Sequence, residues 1–440
     1  MKYKYKNLIP VVLIIFMAAA WYQIVDAAVK AQRQYDQYVE QARNFASDGV
    51  FVDALECYTN AIQMRDSVEL RIEVSELYRK SERMDEGIEY AENIVSVFPQ
   101  NASSYEYLMG LYREQQLYAK CFQLYDKAGK LGVISDGLKQ TISEIAYLYQ
   151  VTVSGISDVS IFANDICAVK YGEFWGYVDT AGKTIVGAEF TAAGDFTGER
   201  ACVRPVEGEP YFIDSSGEKR GVLPESTVDG EIGNDGGSVY SIRVQGNLDY
   251  YSFDKQKVLG SYADGTTFYN GYAAVLTANG YGLIDTSGNL VGSDGYLSVA
   301  CDESGIATRN ERAFFQLGNA WIMVTMAGER VGSDEYEEVR PFYSAGYAAV
   351  KKDGKWGFVD AAGNMCIAPQ YEDARSFSYG HAAVKKDGKW GFIDDSGTVV
   401  IEPAFEDARD MNAAGNMFVR ENGGWEMISL YRYRVVSESQ

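Results

Sequence analysis

An eleven-residue string, AAVKKDGKWGF, stands at residues 348–358 and again, unchanged, at 382–392, 34 residues later. No single globular core needs the same strand–turn–strand twice, so the chain must build by copying a unit. Around the string lies a longer pattern of short apolar runs separated by turn chemistry. Asp353-Gly354 and Asp387-Gly388 suit tight hairpins, which need positive φ. Asp360 to Gly363 and Asp394 to Gly397 suit slightly longer turns, with aspartate accepting backbone N–H groups. The content of 33 Tyr and 44 Gly against 8 Pro fits many short strands joined by tight turns.

With Trp356 as phase marker, degenerate copies become visible at Trp175, Pro210, Tyr250, Tyr281, Trp321, Trp390 and Trp425, at intervals of 35, 40, 31, 40, 35, 34 and 35 residues. Four residues after the marker stands Asp179, Asp214, Asp254, Asp285, Asp360 or Asp394, with Thr325 and Ser429 breaking the rule. Three residues further stands Gly182, Gly217, Gly288, Gly328, Gly363 or Gly397. Trp-Gly pairs occur at Trp175-Gly176, Trp356-Gly357 and Trp390-Gly391. On these residues the region 151–436 resembles the WG-repeat family, which implies a β-repeat domain without established catalysis. One unit of four short strands cannot bury both faces alone, so units must stack or close. Closure into a β-propeller of about seven or eight small blades removes the exposed edge, and an open β-solenoid is the alternative.

Upstream, residues 27–150 show helical spacing with a period near 34. Ala54, Tyr58 and Ala61 recur as Gly87 and Ala91, and again as Cys121, Tyr125 and Ala128. This resembles the tetratricopeptide repeat, although Gly87 and Cys121 stand where alanine is usual. That resemblance implies helical pairs and a concave groove able to take a peptide, with a plain helical spacer as the alternative. A last covering helix is expected over residues 136–150. The expected class is therefore α+β multidomain: segment 1–26, helical repeats 27–150, β repeats 151–436 and a tail 437–440.

Lys2, Lys4 and Lys6 precede an apolar run over residues 8–25, broken by Gln23. Its eighteen residues span about 27 Å as a helix, close to a bilayer core. The expectation is a single-pass anchor with the N-terminus inside and the bulk of the chain extracytoplasmic. A signal peptide cleaved near Ala18 to Ala20 is the alternative.

The formal net charge of −22 argues against nucleic acid, whose affinity rests on Lys and Arg at phosphates. One histidine, His381, leaves no room for most imidazole chemistry, and it fills a slot that Tyr347 and Tyr272 fill in other copies. The six cysteines form no C-x-x-C pair and read as mostly buried thiols. No catalytic, metal or cofactor-binding residue is expected. The repeat aspartates read as turn caps, since no calcium-loop pattern surrounds them. The sequence thus points to an interaction scaffold for a protein partner, with a glycan-binding surface as the second reading. Exposed tryptophans would favour glycan, and a pocket gathering three or more carboxylates would favour an enzyme.

Overall fold

The computed structural model describes residues 8–196, 198–223, 234–235, 239–244, 246–254, 256–343 and 346–433. These divide into two compact units, one helical and one built of strands, joined in sequence at residues 146 and 147.

Among the described residues the helical unit has seven helices: α1 (Leu8–Ser47), α2 (Phe51–Met64), α3 (Val68–Lys80), α4 (Met84–Val97), α5 (Ala102–Glu114), α6 (Tyr118–Leu131) and α7 (Asp136–Ile145). Helix starts are written in the sequence. Ser67, Asn101 and Ser135 cap α3, α5 and α7, each accepting a first-turn backbone N–H. The small residues lie where helices approach closely. Ala54, Ala61, Ala91, Cys121 and Ala128 are wholly buried, and Tyr58 is buried beside them. A Cβ on Gly87 would stand 3.2 Å from the Ser75 carbonyl oxygen, while the Ser75 hydroxyl donates to the Gly87 carbonyl at 2.7 Å. Tyr125 is half-buried against the core around Tyr105, Leu108 and Leu138. Alternate helices are stitched by one arginine each: Arg43 to Glu73 at 2.6 Å, Arg79 to Glu114 at 3.2 Å and Arg113 to Glu144 at 2.8 Å.

The expected membrane anchor is corrected here. Among the described residues no helix is long and apolar enough to cross a membrane. Side chains 8–15, the first half of the expected span, lie outside the described residues. The apolar run ends at Val25, and the next residue, Asp26, pairs with Lys30 at 2.7 Å. The covering helix also stops earlier than expected, at Ile145, because Tyr149–Ile156 is a strand.

In the second unit a four-stranded antiparallel pattern recurs. Glu338–Val339, Ala348–Lys352, Lys355–Val359 and Met365–Tyr371 form one sheet in that order; Asp373–Ala374, His381–Lys386, Lys389–Asp394 and Val399–Phe405 form the next. The last sheet runs Asp407–Ala408, Asn416–Glu421 and Gly424–Leu430. Its fourth strand is Tyr149–Ile156, from the other end of the unit. The first and last segments of the β unit therefore share one sheet.

The Trp-Gly pair has a steric cause. Trp356 pairs with Tyr371 and Phe358 with Ile367, so the one residue between them faces three on the neighbouring strand. The surplus backbone bulges onto Gly357, where a Cβ would lie 2.6 Å from the Ile367 carbonyl oxygen and 2.7 Å from Pro369 N. Gly391 meets Ile401 and Pro403 in the same way, and Gly176 meets Val186 and Ala188. Trp321 is followed by Ile322, and there the fourth strand is reduced to isolated bridges at Tyr336 and Arg330.

Register corrects one phase marker. Tyr250 pairs with Leu259 as Phe358 pairs with Ile367, and Leu248 pairs with Tyr262 as Trp356 pairs with Tyr371. The third copy is thus phased by Leu248, and Ser252 rather than Asp254 occupies its turn position, donating its N–H to the Gln256 carbonyl. Spacing alone misplaced it because two tyrosines and a phenylalanine follow one another there.

Candidate functional site

The repeat aspartates act as turn caps. The Asp360 carboxylate accepts from Ala362 N at 2.9 Å and Asn364 N at 2.8 Å, with Gly363 at φ 85°. Asp179, Asp214, Asp285 and Asp394 accept the same two N–H groups, ahead of Gly182, Gly217, Gly288 and Gly397. Thr325 substitutes its hydroxyl, accepting from Ala327 N and Glu329 N at 3.2 Å, so it keeps the turn with a different side chain. These hydrogen bonds hold the Asp285, Asp360 and Asp394 carboxyls below their ordinary range despite some burial. Ser429 lies inside the strand Gly424–Leu430, where no turn is needed.

The tryptophans are packed rather than displayed. Trp356, Trp390 and Trp425 are 4–5% exposed, and Trp175 and Trp321 are half-buried. Each of the three most buried is covered by a guanidinium: Arg340 lies 5.2 Å from the Trp356 ring centre, Arg375 5.5 Å from Trp390 and Arg409 5.3 Å from Trp425. The same arginines reach the next copy. Arg340 donates to Asp373 at 2.8 Å, Arg375 to Asp407 at 3.4 Å and to the Ala408 carbonyl at 2.6 Å. Arg409 reaches the Val159 carbonyl at 3.5 Å, in the first copy. These residues went unassigned in the sequence, although Arg340, Arg375 and Arg409 recur 15–16 residues before Trp356, Trp390 and Trp425.

The segments that open several of the sheets converge on a charged cluster. Glu303 pairs with both Arg375 and Arg409, and Arg309 pairs with Asp302. Asp195 accepts from the hydroxyls of Ser160 and Ser304, the latter at 3.0 Å. The Tyr343 hydroxyl donates to the Phe162 carbonyl. A cavity of about 120 Å³ among these groups is lined by Asp302, Glu303, Asp410, Arg340 and Arg375. It thus gathers three carboxylates, two of them ion-paired. Burial pushes Asp195 and Asp410 each up to about 6, in Asp410 against the opposing pull of Arg375 and Arg409. Among the described residues no group of three or more His, Cys, Asp or Glu is placed to hold a metal ion.

His381 is buried beside the Tyr147 ring, with Nδ1 donating to the Tyr379 carbonyl at 3.1 Å. All six cysteines are free: Cys121, Cys167 and Cys202 buried, Cys57 half-buried, Cys301 and Cys366 exposed. The last two depart from the buried-thiol expectation, since both lie at the margins of sheets.

Asp195 carries a pH signature. Its folded value near 6 lies above its ordinary 3.8, so the folded state binds the extra proton. Its contribution is fully present below the unfolded value and is lost as pH rises through about 6. The gap is worth about 3 kcal/mol. Asp195→Asn is expected to lose correspondingly less stability than the parent between pH 4 and pH 8, as read by denaturant titration at each pH.

The family model for the WG containing repeat matches residues 175–208, 335–356, 356–390 and 390–425, boundaries that fall on Trp175, Trp356, Trp390 and Trp425. No curated protein matches the chain. Among solved structures, BamB from Moraxella catarrhalis is 12% identical, with a TM-score of 0.38 over 64% of this chain and 98% of that one. Kluyveromyces lactis Hsv2p is 11% identical, with a TM-score of 0.38 over 54% and 92%. YCF48 bound to D1 peptide is 13% identical, with a TM-score of 0.33 over 62% and 99%.

Proposed function

We propose that this chain is a non-catalytic interaction scaffold, in which tetratricopeptide-like helical hairpins and a ring of eight WG-type repeat copies offer surfaces to a protein partner. Ring closure, as a small-bladed β-propeller rather than an open solenoid, is supported by the strand Tyr149–Ile156 completing the last sheet. It is supported again by Arg409, which treats the first copy as its successor.

One observation carries the functional reading: the markers that define the repeat are consumed by its assembly. Tryptophan sits under arginine, aspartate closes turns, glycine admits a bulge, and most of the central acids meet cations or hydroxyls. A substrate site of about 120 Å³ between ion pairs would have to break them to act. What is left for function is surface, and repeat arrays offer it in quantity. The burial of Trp356, Trp390 and Trp425 denies those three rings to the exposed platform that a glycan-binding reading needs.

Chemical cross-linking in intact cells of the source organism, read by mass spectrometry, tests this. A protein partner recovered reproducibly is expected. Recovery of polysaccharide alone, or turnover of a substrate by the purified chain, contradicts it.

A further inference from the structure

A second cavity, of about 430 Å³, opens among the loops that follow the leading segments of several copies, and its lining includes Phe162, Phe196, Tyr269, Tyr343, Tyr379 and Arg309. Its volume falls within the about 300–1,000 Å³ typical of ligand sites. Two features there are unexplained by the fold.

The first is Tyr379. Ser378 and His381 bridge a two-residue turn in which Tyr379 and Gly380 both have positive φ, 48° and 78°. That turn type favours Asn-Gly, and bulky side chains rarely adopt it. The equivalent turns elsewhere obey the preference: Asn270-Gly271 has φ of 48° and 87°, and Asn164-Asp165 has 50° and 63°. Among the described residues only this copy places an aromatic ring at the asparagine position, and it is 52% exposed at the cavity. Packing does not require it there. Strain held at an exposed aromatic points to a contact outside the chain.

The second is Arg309. Its guanidinium lies 5.0 Å from the Tyr269 ring centre and 5.4 Å from that of Tyr343. Nε donates to Asp302, while among the described residues no acceptor takes the N–H groups of its two Nη nitrogens. A flat donor fork with free ends, walled by aromatic faces, matches a carboxylate attached to an apolar group.

We infer that this cavity binds the C-terminal residue of a polypeptide ending in a large apolar or aromatic side chain, its carboxylate on Arg309 and its ring among Tyr269, Tyr343 and Phe196. The inference rests on the protein-partner reading above. A chain terminus is favoured over a free acid because half-exposed Tyr379 can lie along the residues that precede the terminus.

Calorimetric titration of the full-length protein with N-acetyl-Gly-Phe, its C-terminal amide and 3-phenylpropionate tests it. The acid is expected to bind about 10–100-fold more tightly than the amide, the difference one charged hydrogen-bonded contact makes. Arg309→Gln should abolish that preference, and Arg309→Lys, which keeps the charge but loses the planar fork, should reduce it. Tyr379→Asn should weaken the peptide about 3–10-fold, the worth of one aromatic contact, and yet melt no lower than the parent because it restores the favoured turn residue. No binding, equal binding of acid and amide, or a Tyr379→Asn variant with unchanged affinity overturns the inference. Equally tight binding of 3-phenylpropionate overturns the chain terminus as ligand. If Tyr379→Asn leaves recovery of the cross-linked partner intact, only the cavity assignment fails and the scaffold reading stands.

Discussion

Trp390→Ala is expected to destabilise the β-rich unit by about 3–5 kcal/mol, the range for removing a buried aromatic side chain. The ring is 4% exposed and packs with Phe392, Ile401 and Phe405. It also forms the surface on which Arg375 rests before reaching Asp407 and the Ala408 carbonyl in the last copy. Truncation therefore opens a cavity and frees a guanidinium that is 13% exposed. A ring serving as an exposed sugar platform would give a different result, since surface substitutions usually stay within about 0.5 kcal/mol. Equilibrium unfolding in guanidinium chloride, followed by far-ultraviolet circular dichroism, separates the two.

Gly391→Val should be nearly as damaging, at about 3 kcal/mol, the upper part of the range for overpacking. In a unit of this size that lowers the midpoint temperature by about 6–12 °C. The cause is local. A Cβ there would sit 2.5 Å from the Ile401 carbonyl oxygen and 2.6 Å from Pro403 N, both backbone atoms that cannot swing aside. Relief would require the bulge opposite Gly391 to flatten, and with it the register that pairs Trp390 with Phe405. Gly187, which has nothing within 4 Å of its would-be Cβ, is the control: Gly187→Ala should stay within about 0.5 kcal/mol of the parent. Equal effects at both positions, measured by differential scanning calorimetry, would show that no steric contact is made at Gly391 and would contradict the bulge account.

The repeat was legible because its markers are steric and local. An aspartate that caps a turn and a glycine that admits a bulge must recur wherever the turn and bulge recur, as at Asp360, Gly363 and Gly357. Legibility failed where the constraint lay between copies. Tyr149 and Gln150, the start of the strand Tyr149–Ile156, were read as the end of a helix because its neighbour, Gly424–Leu430, lies about 270 residues away in sequence. Leu248 went unread as a marker because the requirement at that position is an apolar side chain opposite Tyr262, which leucine meets without tryptophan's signature. The charged cluster was invisible for the same reason: Glu303, Arg375 and Arg409 meet through the arrangement of sheets, not through any spacing. The apolar segment near the N-terminus shows the converse error. Hydropathy over residues 8–25 was read as a membrane span, whereas among the described residues no helix is long and apolar enough to cross a membrane.

Ring closure is the claim from which the rest follows, and it stands or falls at one pair of strands. Native-state hydrogen exchange, resolved by mass spectrometry over residues 149–156, reads that pair directly. The account predicts amides there that exchange as slowly as those of Lys389–Asp394, through global unfolding of the β unit. Exchange within seconds, as in an unpaired connecting segment, would contradict it.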